Sequence, residues 1–426
     1  MNSMTDRVED NVNTYSRPSE LKITDLRIAN LSGIPMRKVS IIRLDTNQGL
    51  VGYGEVRDGG TENYALMLKR HLVGENPCNV DKLFRRVKQF GHHARQAGGV
   101  CGIEMALMDL AGKAYGAPAY QLAGGKFRDK ILCYSDTPTE KDGLAMGKRL
   151  KERMDRGFKF LKMDVGIGLL QDIPGTLSAP PGMLESREIM HQFTGIQITE
   201  KGIEILCDYV EKVRSVVGYE IPLAVDHFGH IGLDSCIRLG RALDKYTLAW
   251  YEDMIPWQFP EQWRQITDAV TTPTCTGEDI YLKEGFLPLF EQQAIRVIHP
   301  DLASSGGILE TKKIGDLAQE HGVAMAMHMA GSPISALANV HCAAATENFM
   351  VLENHSVDLP DWNGLIEGLP NPLIQDGYIQ VPETPGLGFT DINEEMFRKY
   401  LDPKAPVYFE PSDAWDSDWS WDRLWS

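Results

Sequence analysis

The hydrophobic pattern changes character near residue 130. Before it, Leu21 to Asp58 carries alternating apolar runs, Val39-Ser-Ile-Ile-Arg-Leu and Gly49-Leu-Val-Gly-Tyr-Gly, around the turn signal Asp45-Thr-Asn-Gln-Gly, which predicts an antiparallel meander. Gly102 to Tyr115 then sets Ile103, Ala106, Leu107, Leu110 and Ala114 at helical spacing on one face, with Gly116 and Pro118 just beyond the end. From Lys130 onward eight short β-rich runs alternate with helical stretches: Ile131-Leu-Cys-Tyr-Ser, Phe158-Lys-Phe-Leu-Lys-Met, Leu223-Ala-Val-Asp, Leu248-Ala-Trp-Tyr-Glu, Thr274-Cys-Thr-Gly-Glu, Ala294-Ile-Arg-Val-Ile, Ala324-Met-Ala-Met-His and Phe349-Met-Val-Leu-Glu. Eight βα units over about 225 residues match a (β/α)8 barrel. An open doubly wound sheet competes, but no glycine-rich phosphate fingerprint follows the early strands. An insertion between Leu169 and Thr199, rich in Pro and Gly, reads as a long loop on the C-terminal face of the barrel, where active sites sit.

Length and composition narrow the class. The 426 residues, 43% hydrophobic and 24% charged, suit a soluble protein of two or three domains. A formal charge of −16 argues against nucleic acid or an anionic membrane as partner. No apolar run approaches the roughly 20 residues that span a bilayer, and Met1 to Glu20 lacks an apolar signal stretch, so a cytoplasmic location is expected. Seven scattered cysteines without a CxxC pair read as reduced thiols. The last 15 residues hold Trp415, Trp419, Trp421 and Trp425, a density that predicts packing against the body or a neighbouring subunit.

Chemistry gathers at strand ends. Asp226, Glu252 and Glu278 each close a strand and stand 26 residues apart, one βα unit per step, so they converge at one height on the barrel mouth. Three such carboxylates repel unless a cation joins them, and an all-oxygen set suits Mg²⁺. Each acid alone would read as a helix N-cap. Strand alternation turns the neighbours Asp253 and Asp279 to the opposite face. His328 ends the seventh strand and Asp301 the sixth, a pairing that orients an imidazole and makes it basic enough to act on a carbon acid, where a lone His would read as a core residue. Lys162 and Asp164 share one side of the second strand. Lys162 suits a substrate carboxylate or a developing enolate, with a buried Lys–Asp pair as the structural alternative. Glu353 ends the eighth strand, either as a protonated hydrogen-bond donor to an enediolate or as a structural cap.

Together these residues, with the segment from Gly102 to Lys126, resemble the mandelate racemase branch of the enolase superfamily from about Leu21 to about Leu401. Sites of that superfamily pair a Lys or His base with Mg²⁺. The resemblance implies an α/β fold: a modified (β/α)7β TIM-type barrel over residues 130–380 under an α+β capping domain at 21–129. A polar arm at 1–20 precedes the cap, and a C-terminal segment at 381–426 packs back on it. It further implies one Mg²⁺ per subunit on Asp226, Glu252 and Glu278, a His328–Asp301 dyad that removes the proton α to a carboxylate, and a homo-oligomer between dimer and octamer.

One departure is informative. Racemases of the branch carry Lys-x-Lys on the second strand, whereas this chain has Lys162-Met163-Asp164 and lacks the second lysine base. A single base favours loss of the β-hydroxyl, giving a 2-keto-3-deoxy acid from a sugar-acid substrate. Epimerisation or cycloisomerisation through the same enediolate is the alternative, and a metabolite-binding protein without turnover is a third reading. Some dehydratases of the branch place a histidine where Phe228 stands here. His230, beyond Gly229, is therefore the preferred proton donor, with protonated His328 as the other choice. Alternation points the nearby His227 away from the barrel axis, and it joins Arg37, in a cap loop, as a candidate substrate contact; Arg37 reads equally as a surface residue. The His92–His93 pair has no assigned role.

Overall fold

The computed structural model describes residues 17–34, 38–92, 97–184, 195–226 and 231–417. The predicted meander is present as β1 (Ile23–Leu31), β2 (Val39–Thr46) and β3 (Val51–Val56), paired antiparallel in that order. The helix Ala97–Tyr115 crosses its face, starting earlier than expected and buried on nearly all sides rather than along one stripe. The reason lies in its glycines. A Cβ on Gly54 of β3 would meet the carbonyl oxygen of Gly102 at 1.9 Å, so helix and strand touch backbone to backbone. Glycines that sequence alone marks as a break are here the contact surface.

The barrel follows: β4 (Lys130–Ser135), β5 (Leu161–Asp164), a small hairpin β6 (Leu177–Ser178) and β7 (Gln197–Ile198), then β8 (Leu223–Asp226), β9 (Tyr251–Glu252), β10 (Thr274–Thr276), β11 (Val297–Ile298), β12 (Ala324–Met327), β13 (Phe349–Asn354) and β14 (Tyr378–Gln380). The hairpin lies in the predicted insertion, of which residues 185–194 are outside the described part. The main sheet runs β14-β4-β13-β12-β11-β10-β9-β8-β5, with all the barrel pairings parallel except β14 on β4. The two ends, β4 and β5, come side by side and complete the ring of eight. A helix of ten or more residues follows each barrel strand but the last, as a (β/α)7β barrel requires.

The chain ends tie cap and barrel together. Asn30 N–H donates to Val407 and Phe409 N–H to Ile28, so the C-terminal segment lies along β1. Trp415 is half-buried there, and the other three tail tryptophans fall outside the described residues. Buried Glu104, on the long cap helix, accepts the N–H groups of Ile308 (2.5 Å) and Leu309 (3.0 Å) at the start of the barrel helix Gly307–Glu320. Burial pushes its carboxyl up to about 8, against those two hydrogen bonds. Among the described residues no helix is long and apolar enough to cross a membrane.

Where an eighth helix would lie, an irregular segment is held by Asp358. Its two oxygens take Nη1 and Nη2 of buried Arg153 at 2.6 and 2.5 Å, and Arg156 adds a third contact at 3.0 Å. The Arg153 hydrogen bonds hold the Asp358 carboxyl down to about 2, against a smaller opposing push from burial. Asp358→Asn is expected to lower stability by about 1–3 kcal/mol, because it leaves Arg153 buried with a weaker partner. The folded pKa lies below the roughly 3.9 of an unfolded Asp, so this stability is fully present above pH 4 and lost as pH falls through about 2. Thermal melts of both proteins at pH 7 and pH 3 check it: the gap between them should narrow at the lower pH.

Candidate active site

The barrel interior is built in layers two residues deep. Its floor is a separate apolar cluster with one residue from each strand: Tyr134, Phe160, Ala224, Trp250, Cys275, Val297, Ala326 and Val351. Two positions further along come Asp136, Lys162, Asp226, Glu252, Gly277, His299, His328 and Glu353. A polar ring thus sits directly on a dry floor. One more step along brings Asp164, Asp301 and His355 toward the mouth.

Lys162, only 2% exposed, places its Nζ 2.7 Å from Asp226 Oδ2, 2.8 Å from Glu353 Oε1 and 3.5 Å from Glu252 Oε1. It is a buried cation shared by three acids. Asp164 lies level with Asp226 and accepts from Thr139 Oγ1 at 3.0 Å. Glu252 is gripped from two sides: Trp250 Nε1 donates to Oε2 at 2.8 Å, and His299 Nδ1 lies 2.7 Å from Oε1 while its Nε2 meets the Tyr134 hydroxyl at 2.9 Å. Glu353 is fully buried. Burial works against its charge, yet Lys162, His355 and His328 hold it well below the usual carboxylate range. These neighbours favour the charged form over the protonated donor expected from sequence.

Asp226, Glu252 and Asp253 bring one oxygen each within 4.8 Å of one another. Asp253 overturns the alternation argument: its φ of 47° turns it out of the strand pattern, and its carboxylate takes a hydrogen bond from Thr276 Oγ1 at 2.7 Å. Burial, then Glu278, Asp226 and Glu252, push its carboxyl well above the ordinary value. Glu278 stands beside this group rather than inside it. Just past β10, Gly277 has φ at +143°, and a Cβ there would come within 2.8 Å of Phe286 on the following helix; beyond this turn Glu278 lies toward the mouth. There Oε1 lies 3.2 Å from Arg57 Nη2 and Oε2 3.3 Å from His328 Nε2. The donors are buried, convergent and all oxygen, a set that fits a hard divalent cation. Cys275, near Glu252 and His299, is kept a neutral thiol by burial and is unsuited to such an ion.

The predicted pairing of His328 and Asp301 is found across neighbouring strands, with Nδ1 2.6 Å from Oδ2. Ala303 N–H binds the other Asp301 oxygen at 2.7 Å, and Arg57 Nη1 lies 3.1 Å from Oδ2. Burial raises the Asp301 carboxyl, but Arg57 and His328 outweigh it and hold Asp301 below its ordinary value. Burial likewise lowers His328, and Glu278, the Asp301 hydrogen bond and Glu353 more than reverse this, to about 10. Nε2 lies 3.3 Å from Glu278 Oε2 and 3.9 Å from Glu353 Oε2.

Four contributors escape a reading of the sequence. His299 and His355 sit two residues from Asp301 and Glu353 on the same strands, so period-two reasoning from those acids would find them. Trp250 stands in the same relation to Glu252. Arg57 follows β3 in the cap and reaches the barrel only through the fold; nothing in its local sequence signals this. Asp279, expected on the opposite face, is half-exposed with Oδ1 3.7 Å from Arg57. Arg37, His227, Phe228, His230 and His93 lie outside the described residues.

Comparison with known proteins settles the lineage. Residues 15–124 match the family model for the mandelate racemase/muconate lactonizing enzyme N-terminal domain, and residues 145–396 match the enolase C-terminal domain-like model. The chain belongs to the mandelate racemase/muconate lactonizing enzyme family of the enolase superfamily. It is 36% identical to the D-xylonate dehydratase of Haloferax volcanii over 82% of each chain. It is 26% identical to the D-gluconate/D-galactonate dehydratase of Picrophilus torridus, over 85% of this chain and 88% of that one. A crystal structure of a mandelate racemase/muconate lactonizing enzyme-like protein from Rubrobacter xylanophilus superposes with a TM-score of 0.80 at 28% identity, covering 92% of this chain and 99% of the other. The two family models flank the junction of the cap and the barrel described above.

Proposed function

We propose that this hydro-lyase is a Mg²⁺-dependent acid-sugar dehydratase. It takes the proton α to the substrate carboxylate, expels the β-hydroxyl and yields a 2-keto-3-deoxy sugar acid. One observation carries the reading: the His328 imidazole, backed by Asp301, stands beside an acid cluster, and Asp164 occupies the position where a second lysine base would stand. The D-xylonate and D-gluconate/D-galactonate dehydratases among the relatives point to the same substrate class.

Asp226 and Glu252 would hold the cation, with Asp253 in their cluster and Glu278 reaching it from the mouth side. When bound, it supplies positive charge opposite the substrate carboxylate, where negative charge grows as the proton leaves. Asp301 holds the imidazole with Nδ1 inward, so Nε2 presents its lone pair to the substrate. A bound cation would neutralise the Glu278 charge that raises His328, which favours the basic form. Lys162 balances the ring from below, and the apolar floor excludes water from that side.

The test is incubation with Mg²⁺ and a panel of five- and six-carbon aldonates headed by D-xylonate, scoring keto acid with semicarbazide. Product from at least one is expected, and EDTA should remove it. Deuterium entering the α position of recovered substrate or its epimer, without keto acid, would instead establish an isomerase.

A further inference from the structure

Expulsion of hydroxide requires a proton; His230 lies outside the described residues, and the described residues of the polar ring do not supply an obvious one. Lys162 is locked among three carboxylates, Glu353 is held toward its charged form by Lys162, and His328 must accept rather than give in the first step. His355 meets the requirement. It lies on β13's continuation, two residues beyond Glu353, and therefore faces the same interior one layer nearer the mouth. Its ring centroid is 5.2 Å from that of His328, and one ligand atom each from His328, Glu353 and His355 fall within 4.8 Å of one another. Its Nδ1 is 3.4 Å from Asp136 Oδ2, at the end of β4, and its Nε2 is 3.4 Å from Glu353 Oε1. With 21% of its side chain exposed, it keeps a route to solvent that the deeper groups lack.

The site thus holds two imidazoles on neighbouring strands, each backed by a carboxylate from an adjacent one: His328 by Asp301, and His355 by Asp136. The groups facing His355 are Glu353, Asp136 and His328. Burial disfavours its charge, but Glu353 and Asp136 outweigh this and favour the protonated ring. His328 begins the reaction as the base, so the pair is divided between acceptor and donor.

We propose that His355 is the proton donor to the departing β-hydroxyl, an assignment that rests on the dehydratase reading above, with Asp136 as its positioning residue. As His328 Nε2 takes the proton from C2, the C–H electron pair moves into the carboxylate to give the enediolate, and it then returns to form the C2–C3 double bond. The C3–O bond breaks with its electrons on oxygen, and the His355 proton joins that oxygen, so water leaves. The resulting enol becomes the keto acid when C3 takes the proton held by His328. The enol O–H proton, returned through solvent, recharges His355. Substrate has then become keto acid and water, and both imidazoles are restored.

The experiment uses whichever aldonate the wild type dehydrates, together with its 3-deoxy-3-fluoro counterpart, because fluoride departs without a proton. In His355→Gln, keto acid from the hydroxyl substrate should fall about 100-fold or more. Fluoride release should stay within about tenfold of wild type, and the α-proton should still exchange with deuterium. Asp136→Asn should shift the same hydroxyl-to-fluoride ratio in the same direction by a smaller factor, with its melting temperature unchanged. Equal losses on both substrates would reduce His355 to a structural residue, and unchanged dehydration would remove it from the reaction; either result overturns the assignment. A wild type that dehydrates no aldonate withdraws the dehydratase reading first, and the assignment with it.

Discussion

His328→Ala should lower keto-acid formation by about 10³- to 10⁴-fold and abolish exchange of the α-proton, while moving the melting temperature by only a few degrees. The size of the effect follows from how much of the site converges on one atom. Asp301 fixes Nδ1 at 2.6 Å, Arg57 braces Asp301 from the cap at 3.1 Å, and Glu278 approaches Nε2 at 3.3 Å. Among the described residues no lysine stands where it could take the same proton: Lys162 is committed to Asp226 and Glu353, and Asp164 replaces a lysine. The small stability cost follows from the same geometry. The imidazole is held by charged partners rather than by apolar packing, and Arg57 remains to balance Asp301 when it goes. Semicarbazide assay and proton NMR in deuterated buffer measure the two catalytic consequences. Exchange that persists within about tenfold in the variant would remove His328 from its role as base.

The eight strands were legible because each is a short apolar run that must be buried on both faces, bounded by turns and helices. The equal spacing of Asp226, Glu252 and Glu278 was legible for the same reason: a repeating βα unit converts sequence distance into position around a ring. What escaped that rule is local backbone geometry. Asp253 leaves the strand pattern because its φ is positive, and Gly277, just past β10, has a φ of +143°, so Glu278 reaches the mouth by a turn instead of by alternation. Neither deviation has a signature beyond the residue itself. Arg57 escaped for a different reason, since its contacts with Asp301 and Glu278 join residues more than 200 positions apart. Contacts between domains carry no periodicity to detect. His355 was within reach, because it follows Glu353 by two, but a histidine between an asparagine and a serine past a strand end gives no reason to look until the strand has been placed in the ring.

Lys162→Met should cost about 3–5 kcal/mol of stability in EDTA, and Mg²⁺ should recover more of the loss in the variant than it adds to the wild type. The lysine is the one cation lying within 3.5 Å of Asp226, Glu252 and Glu353 together among the described residues, and it is almost wholly removed from water. Taking it away leaves three carboxylates on a dry aromatic floor of Tyr134, Phe160 and Trp250, where unpaired charge is expensive. Methionine fills much the same volume, so the loss reports charge rather than a cavity. A divalent ion bound by Asp226 and Glu252 would supply positive charge to the same ring, and the variant's stability should then depend on it more steeply. Thermal melts of both proteins across a Mg²⁺ titration separate the outcomes. A variant that melts with the wild type in EDTA would show that Lys162 does not balance these acids. A variant destabilised as expected but blind to Mg²⁺ would mean that the ring accepts no cation there, and the metal-dependent reading of the site would fall with it.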